Sequence, residues 1–174
     1  SHETIARVLF QEASRRKGKT RESCGGKTVP QKLARLLTLV SEKPDAMILH
    51  LKPRDAPKKR AHVIGVTGST AIGKSTLIDK MIALLREDRL RVIVLAIDPT
   101  EEASGGAILG DIIRMRRHYA DSGVFMRSFG SRGASGSVTT HLKETIDVAA
   151  RFADVLIVET VGAGTAAECL QQLK

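Results

Sequence analysis

A glycine-rich segment in the middle of the chain has the residue types and spacing of a phosphate-binding loop. Residues 68–75 read GSTAIGKS, which fits the pattern G-x-x-x-x-G-K-[ST]. In such a loop, backbone N–H groups surround the phosphates of a nucleotide, and the lysine reaches the β- and γ-phosphates. The pattern predicts these nucleotide-binding residues: Gly68, Ser69, Thr70, Ala71, Ile72, Gly73, Lys74, Ser75 and Thr76.

Two acidic residues follow apolar runs and are candidates for a metal site beside this loop. Asp98 ends the run RVIVLAID, and Glu159 ends the run DVLIVE. Because Mg²⁺ in phosphate-loop enzymes is held by the loop Ser or Thr and by a strand-end acid, Ser75, Asp98 and Glu159 are the candidate ligands. The segment 159–162 also has the spacing of the D-x-x-G switch of GTPases, with Glu for Asp. There the Gly162 amide would sense the γ-phosphate.

The elements that must position these residues alternate between strand and helix. Continuous apolar runs predict strands at 63–66, 91–97, 124–126 and 154–159, and helical periodicity predicts a helix over 77–85. Runs without polar alternation are typical of strands buried on both faces. The sequence therefore predicts an α/β fold with a parallel sheet between helices, in the three-layer arrangement of phosphate-loop NTPases.

The charge distribution divides the chain into two parts. Residues 1–62 carry 15 Lys and Arg against 6 Asp and Glu, whereas residues 63–174 carry 13 of each. Leucines recur at helical spacing over 33–40, between Pro30 and Pro44, and a second apolar repeat lies at 5–9. We expect a helical, basic N-terminal extension over 1–60 and a partial phosphate-loop domain over 61–174.

Composition excludes several classes of protein. No run of about 18 apolar residues is present, and the first residues lack a signal-peptide pattern, so we expect a cytoplasmic protein without a membrane span. Two distant cysteines, Cys24 and Cys169, favour neither a disulfide framework nor a zinc knuckle. With 3% aromatic residues there is no stacking platform for single-stranded nucleic acid. The basic arm is either a solvated segment or a binder of phosphates or acidic surfaces.

Beyond the loop, several longer motifs resemble one family. The segments AHVIGVTG (61–68), LAIDPT with SGGAILGD (95–111) and VETVGAG (158–164) are similar to the methylmalonyl-CoA mutase-associated GTPases, called MeaB or ArgK. The similarity covers about residues 32–168. It implies that Asp98, Asp111 and Glu159 form the Mg²⁺ and switch network with Ser75. It also implies GTP and GDP as ligands and a homodimeric GTPase that serves as chaperone for a cobalamin-dependent acyl-CoA mutase. The catalytic residues expected on this basis are Lys74, Glu159, Gly162 and Asp98.

Three departures from the family pattern bear on activity. Thr70 and Ala71 replace the usual Pro-Gly, and alanine costs about 1 kcal/mol if position 71 needs a positive φ. Thr165 replaces a glutamine that could orient the attacking water, so we expect slow hydrolysis. The chain ends at Lys174, before any N-K-x-D motif. We therefore expect a domain truncated at its C-terminal side, and guanine specificity depends on the resemblance alone.

Two other functions remain open at this stage: a small-molecule kinase with the same loop, and a nucleotide-binding assembly factor with little or no hydrolysis. His118 and His141 lack a second ligand at helical spacing and are expected to be structural histidines. An arginine that stabilises the transition state could be among Arg114, Arg116, Arg117, Arg127 and Arg132. Of these, Arg132 is the candidate, because Gly133 places it in a loop.

Overall fold

The computed structural model describes residues 31–42, 61–69, 71–98, 116–130 and 142–161. The predicted strands and the helices at 33–40 and 77–85 are confirmed, with ends that differ by up to four residues. The elements in chain order are α1 (Gln31–Glu42), β1 (His62–Gly68), α2 (Lys74–Glu87), β2 (Val92–Asp98), a 3₁₀ turn (Arg116–His118), β3 (Val124–Gly130), α3 (Leu142–Ala149) and β4 (Val155–Val161).

Within the described residues, the strands form one sheet in the order β1-β4-β2-β3, and every pair is parallel. The predicted parallel sheet is thus confirmed. β4 lies between β1 and β2, and its described side chains from Val155 to Thr160 are all buried. This double burial is the reason for the uninterrupted apolar run in that strand. β1 forms one edge, where Val63 is 39% exposed.

Each face of the sheet packs against helices. On one face, apolar side chains of α2 pack against alternate residues of β2 and β4, among them Val94 and Ile157. On the other face, α1 and α3 cover the intervening residues, among them Leu95 and Val158. Because strand side chains alternate between faces, these two clusters are separate cores. The arrangement is the predicted three-layer α/β/α fold.

Helix α1 is packed into the second of these cores, although it precedes the predicted boundary near residue 61. Leu33 and Leu37 are fully buried, and Val40 is 1% exposed. On β3, Arg127 donates from Nη1 to the carbonyl of Ala34 at 2.7 Å. The helix therefore contacts the sheet through apolar and polar groups. The division into 1–60 and 61–174 stays a prediction.

None of the helices formed by the described residues has the length and hydropathy needed to cross a membrane. The predicted helical segment at 5–9 lies outside the described residues.

Candidate functional site: a phosphate-binding loop

The loop between β1 and α2 has the backbone features of an anion site. Gly73 is the N-cap of α2, with φ 95°, and no side chain caps the helix there. Its carbonyl accepts the N–H of Leu77 at 3.0 Å, so the helix begins directly after the loop. The first turn of α2 carries no acidic residue. The N–H groups of the first helical turn and the positive end of the helix dipole are the groups that bind a phosphate at such a helix start.

Lys74 is the first residue of α2 and folds back over the loop. Its Nζ donates to the carbonyls of Gly68 and Ser69, at 2.8 Å each. The ammonium group is therefore held above the start of the loop by backbone oxygens. This position places the ammonium group beside the helix start, where the phosphates of a nucleotide would lie.

Ala71 adopts the left-handed conformation, with φ 62°. Position 71 therefore has a positive φ, and an alanine occupies a position where the backbone favours glycine. Gly73 also has a positive φ, but as a glycine it pays no Cβ penalty. The loop thus has the required curvature, at a local cost of about 1 kcal/mol at Ala71.

Ser75 and Glu159 meet beneath the loop. The Ser75 hydroxyl donates to Glu159 Oε1 at 3.4 Å, although 84 residues separate them. Both are buried: Ser75 is 7% and Glu159 is 4% exposed. A hydroxyl and a carboxylate are hard oxygen donors of the kind that Mg²⁺ prefers. The residues present therefore fit the metal that the sequence predicts.

The other predicted site residues are placed in part. Asp98 ends β2, and because β2 and β4 are parallel, the backbone of Asp98 lies at the same edge of the sheet as Glu159. Ile72 is 63% exposed in the loop, and Thr76 is exposed on α2. The residues weighed from the sequence that lie outside the described part of the chain are Thr70, Asp111, Arg114, Arg132, His141, Gly162 and Thr165.

Two of the residues weighed as chemical candidates have structural contacts. Arg127 hydrogen-bonds to Ala34 and lies over the Phe129 ring, 5.1 Å from its centroid. His118 is buried and lies 3.0 Å from Asp79 Oδ1, as expected for a structural histidine. Within the described ranges no group of three or more His, Cys, Asp or Glu side chains is arranged to hold a metal.

Sequence reasoning missed Asp79, which Arg117 and His118 contact from the 3₁₀ turn. The partners lie 38 and 39 residues away in the chain. No periodicity or motif connects them, so the sequence carried no signal for this contact.

Comparison with known protein families matches residues 33–171 to the family described as methylmalonyl Co-A mutase-associated GTPase MeaB. A putative GTPase of Pyrococcus horikoshii is 42% identical over 76% of this chain, which covers 42% of the relative. A probable GTPase of Mycobacterium tuberculosis is 40% identical over 76% of the chain and 41% of its own length. A fused isobutyryl-CoA mutase of Cupriavidus metallidurans is 39% identical over 76% of the chain and 12% of the relative.

The chain spans about two fifths of the length of the GTPases that it matches. The match extends from α1 through β4, and so includes the phosphate-binding loop and Glu159. With the fold, the loop geometry and this match in agreement, the resemblance seen in the sequence is confirmed, and the chain belongs to the MeaB family of methylmalonyl-CoA mutase-associated GTPases.

Proposed function

We propose that the chain binds GTP at the loop between β1 and α2 and hydrolyses it to GDP and phosphate in a Mg²⁺-dependent reaction. The observation that carries this proposal is the buried hydrogen bond from the Ser75 hydroxyl to Glu159 Oε1, at 3.4 Å. Ser75 follows Lys74 in the first turn of α2, where no side chain caps the helix. Family membership supports the choice of a guanine nucleotide over other nucleoside triphosphates.

The residues of the loop bind and orient the triphosphate. The N–H groups at the start of α2 donate to phosphate oxygens, and Lys74 moves from the loop carbonyls toward the β- and γ-phosphates. These groups stabilise the negative charge that develops as water attacks the γ-phosphorus. Mg²⁺, held by Ser75 and Glu159 with Asp98 and Asp111, would supply further neutralisation of the phosphate oxygens.

On this proposal, the segments that follow β2 and β4 change conformation according to whether GTP or GDP is bound. On this proposal the Gly162 amide contacts the γ-phosphate and orders the loop that follows Glu159. Because Thr165 replaces a glutamine able to orient water, we propose that hydrolysis by the chain alone is slow. Completion of the site by a partner would then accelerate it.

We propose a cobalamin-dependent acyl-CoA mutase as that partner, with the GTPase acting as its chaperone and as a homodimer. The family description and the occurrence of a similar sequence within a fused isobutyryl-CoA mutase support an association with a mutase. Co-purification of the chain with such a mutase, in GTP-loaded and GDP-loaded forms, tests the association.

The nucleotide site is tested by Lys74→Ala. Loss of the ammonium removes the charge that faces the phosphates, and we expect the affinity for Mg·GTP to fall by about a hundredfold or more, the scale of several charge-assisted hydrogen bonds. Lys80→Ala, a change of the same type on the same helix, is the control and should leave the affinity unchanged. Equal affinities of wild type and Lys74→Ala in a fluorescence titration would reject the site.

A further inference from the structure

A cluster of hydrogen bonds around Asp79 ties helix α2 to the 3₁₀ turn before β3. Arg117 donates from Nε to Asp79 Oδ1 at 2.7 Å and from Nη2 to the Asp79 carbonyl at 3.1 Å. His118 Nε2 lies 3.0 Å from the same Oδ1 and 3.3 Å from the same carbonyl. Two consecutive residues of the turn therefore hold both the side chain and the backbone of Asp79.

This cluster is partly shielded from water. The side chains of Asp79 and His118 are 21% and 9% exposed, whereas that of Arg117 is 55% exposed. Hydrogen bonds to an ionised carboxylate are short and directional, and reduced contact with solvent strengthens them. The cluster consequently fixes both the distance and the orientation between α2 and the turn.

Asp79 lies close to the phosphate site along α2. Asp79 follows Ser75 by four residues, which is about one helical turn or 6 Å along the axis. The turn that holds Asp79 leads into β3, which pairs with β2, and β2 pairs with β4. β4 carries Glu159, which contacts Ser75. Asp79 therefore connects the first turn of α2, through the sheet, to the partner of Ser75.

Apolar packing alone would define this geometry less exactly. The buried side chains of α2, among them Ile78 and Ile82, select the face of the helix that meets the sheet. Hydrophobic contact is non-directional, so small shifts along or about the helix axis change its energy little. Directional bonds at Asp79 remove that freedom close to Lys74 and Ser75.

We propose that Asp79 is a positioning residue of the phosphate site: by anchoring α2 to the turn 116–118, it sets where Lys74 and Ser75 stand relative to Glu159. The inference rests on the proposed GTP hydrolysis at this loop. A displacement of reacting groups by about 1 Å lowers a rate by up to about a hundredfold. Loss of this anchor should therefore lower kcat more than it weakens ground-state binding.

The chain offers a matched control on the same helix. Arg86 donates from Nε and Nη2 to the two carboxylate oxygens of Asp121, at 2.7 and 2.8 Å. This ion pair also joins α2 to the connection before β3, but Arg86 lies 12 residues after Lys74, or about 18 Å along the helix axis. Asp121→Asn thus removes a comparable ion pair far from the loop.

The experiment compares Asp79→Asn with Asp121→Asn in the full 174-residue chain. We measure kcat and KM for Mg·GTP, the Kd of a fluorescent GDP analogue, and the thermal midpoint of each variant. Asp79→Asn should lower kcat by about tenfold or more and change the Kd by less than about threefold. Asp121→Asn should lower the midpoint by a similar amount and leave kcat within about twofold of wild type.

Two further variants keep the proposal testable if Asp79→Asn fails to fold. Arg117→Gln removes the partner at a half-exposed side chain and should lower kcat in the same direction, by less, because His118 remains. Asp79→Glu retains a carboxylate and should recover part of the lost kcat.

The outcomes separate the two proposals. A wild-type chain without GTP hydrolysis overturns the proposed function and, with it, this inference. If wild type hydrolyses GTP and the Asp79 and Arg117 variants match Asp121→Asn in kcat at equal thermal midpoint, only the positioning role of Asp79 is overturned.

Discussion

At the scale of single residues, the loop combines groups that favour phosphate binding with one residue whose backbone conformation is strained. Lys74 supplies an ammonium group over the loop, and the hydroxyl of Ser75 donates to the carboxylate of Glu159. Ala71 holds a left-handed φ of 62°, which an L-residue with a Cβ adopts at a cost. This backbone strain opposes the loop conformation in which the amides are oriented toward a phosphate.

Ala71→Gly should therefore relieve the backbone strain in the loop. Removal of the Cβ relieves a left-handed residue by about 1 kcal/mol, offset in part by the greater freedom of glycine in the unfolded chain. We expect unchanged or slightly higher stability and faster single-turnover hydrolysis of GTP. The same substitution at Ala83, inside α2, should cost about 1 kcal/mol. A loss of stability at position 71 as large as that at position 83, or an unaltered rate, would contradict this account.

Much of the site follows from the sequence because its parts obey local rules. The spacing of residues 68–75 predicts the loop, and the apolar runs ending in Asp98 and Glu159 predict parallel strands whose carboxyl ends meet at one edge. That reasoning brings Ser75 and Glu159 together across 84 residues. The Asp79 cluster could not be predicted in this way, because it depends on where the turn 116–118 packs against α2.

At the scale of elements, polar contacts join helix α2 to the segment before β3 at two positions, Asp79 and Arg86. At the far end, Arg86 bonds to Asp121 and also to the carbonyl of Leu90, at 2.6 Å. The N–H of Gly123 donates to Asp121 Oδ1 at 2.8 Å. A Cβ at Gly123 would overlap with the Arg86 guanidinium, so a larger residue there would displace the end of this side chain from its present position. The helix, the turn and the strand are therefore assembled as one unit.

This unit should show a characteristic pH dependence. The hydrogen bond from Arg86 holds the pKa of Asp121 below its usual value, and the Gly123 N–H acts in the same direction, against the opposing effect of burial. A depressed pKa in the folded state means that the stabilisation is complete above about pH 4, the pKa in the unfolded chain, and is lost as pH falls through the lower folded value.

Asp121→Asn should accordingly lower the free energy of unfolding at pH 7 by about 0.2–1 kcal/mol, the range for partly exposed ion pairs. The difference from wild type should shrink when denaturant unfolding is measured toward pH 3. Asp147→Asn, at an exposed position on α3, provides the comparison. A difference between Asp121→Asn and wild type that stays constant from pH 7 to pH 3 would refute the linkage.

At the scale of the whole molecule, α1 belongs to the predicted N-terminal extension by sequence and packs against the sheet. Its basic surroundings grouped it with an N-terminal extension, because composition reports the solvent-facing residues of a helix as strongly as its buried ones. In the structure, Leu33 and Leu37 share one core with residues of β2, β4 and α3. The family match also begins at residue 33, so α1 is included in the part of the chain that the family shares.

If α1 is an integral layer of the nucleotide-binding domain, a cavity in it should destabilise the whole domain. Leu37→Ala removes a fully buried side chain and should lower the free energy of unfolding by about 2–5 kcal/mol. The single unfolding transition should move as a unit when followed by circular dichroism and by the release of bound nucleotide. Arg35→Ala, on the exposed side of the same helix, should change stability by less than about 0.5 kcal/mol. A helix that belonged to a separate extension would behave differently, since Leu37→Ala would then leave both the main transition and nucleotide release at their wild-type midpoints.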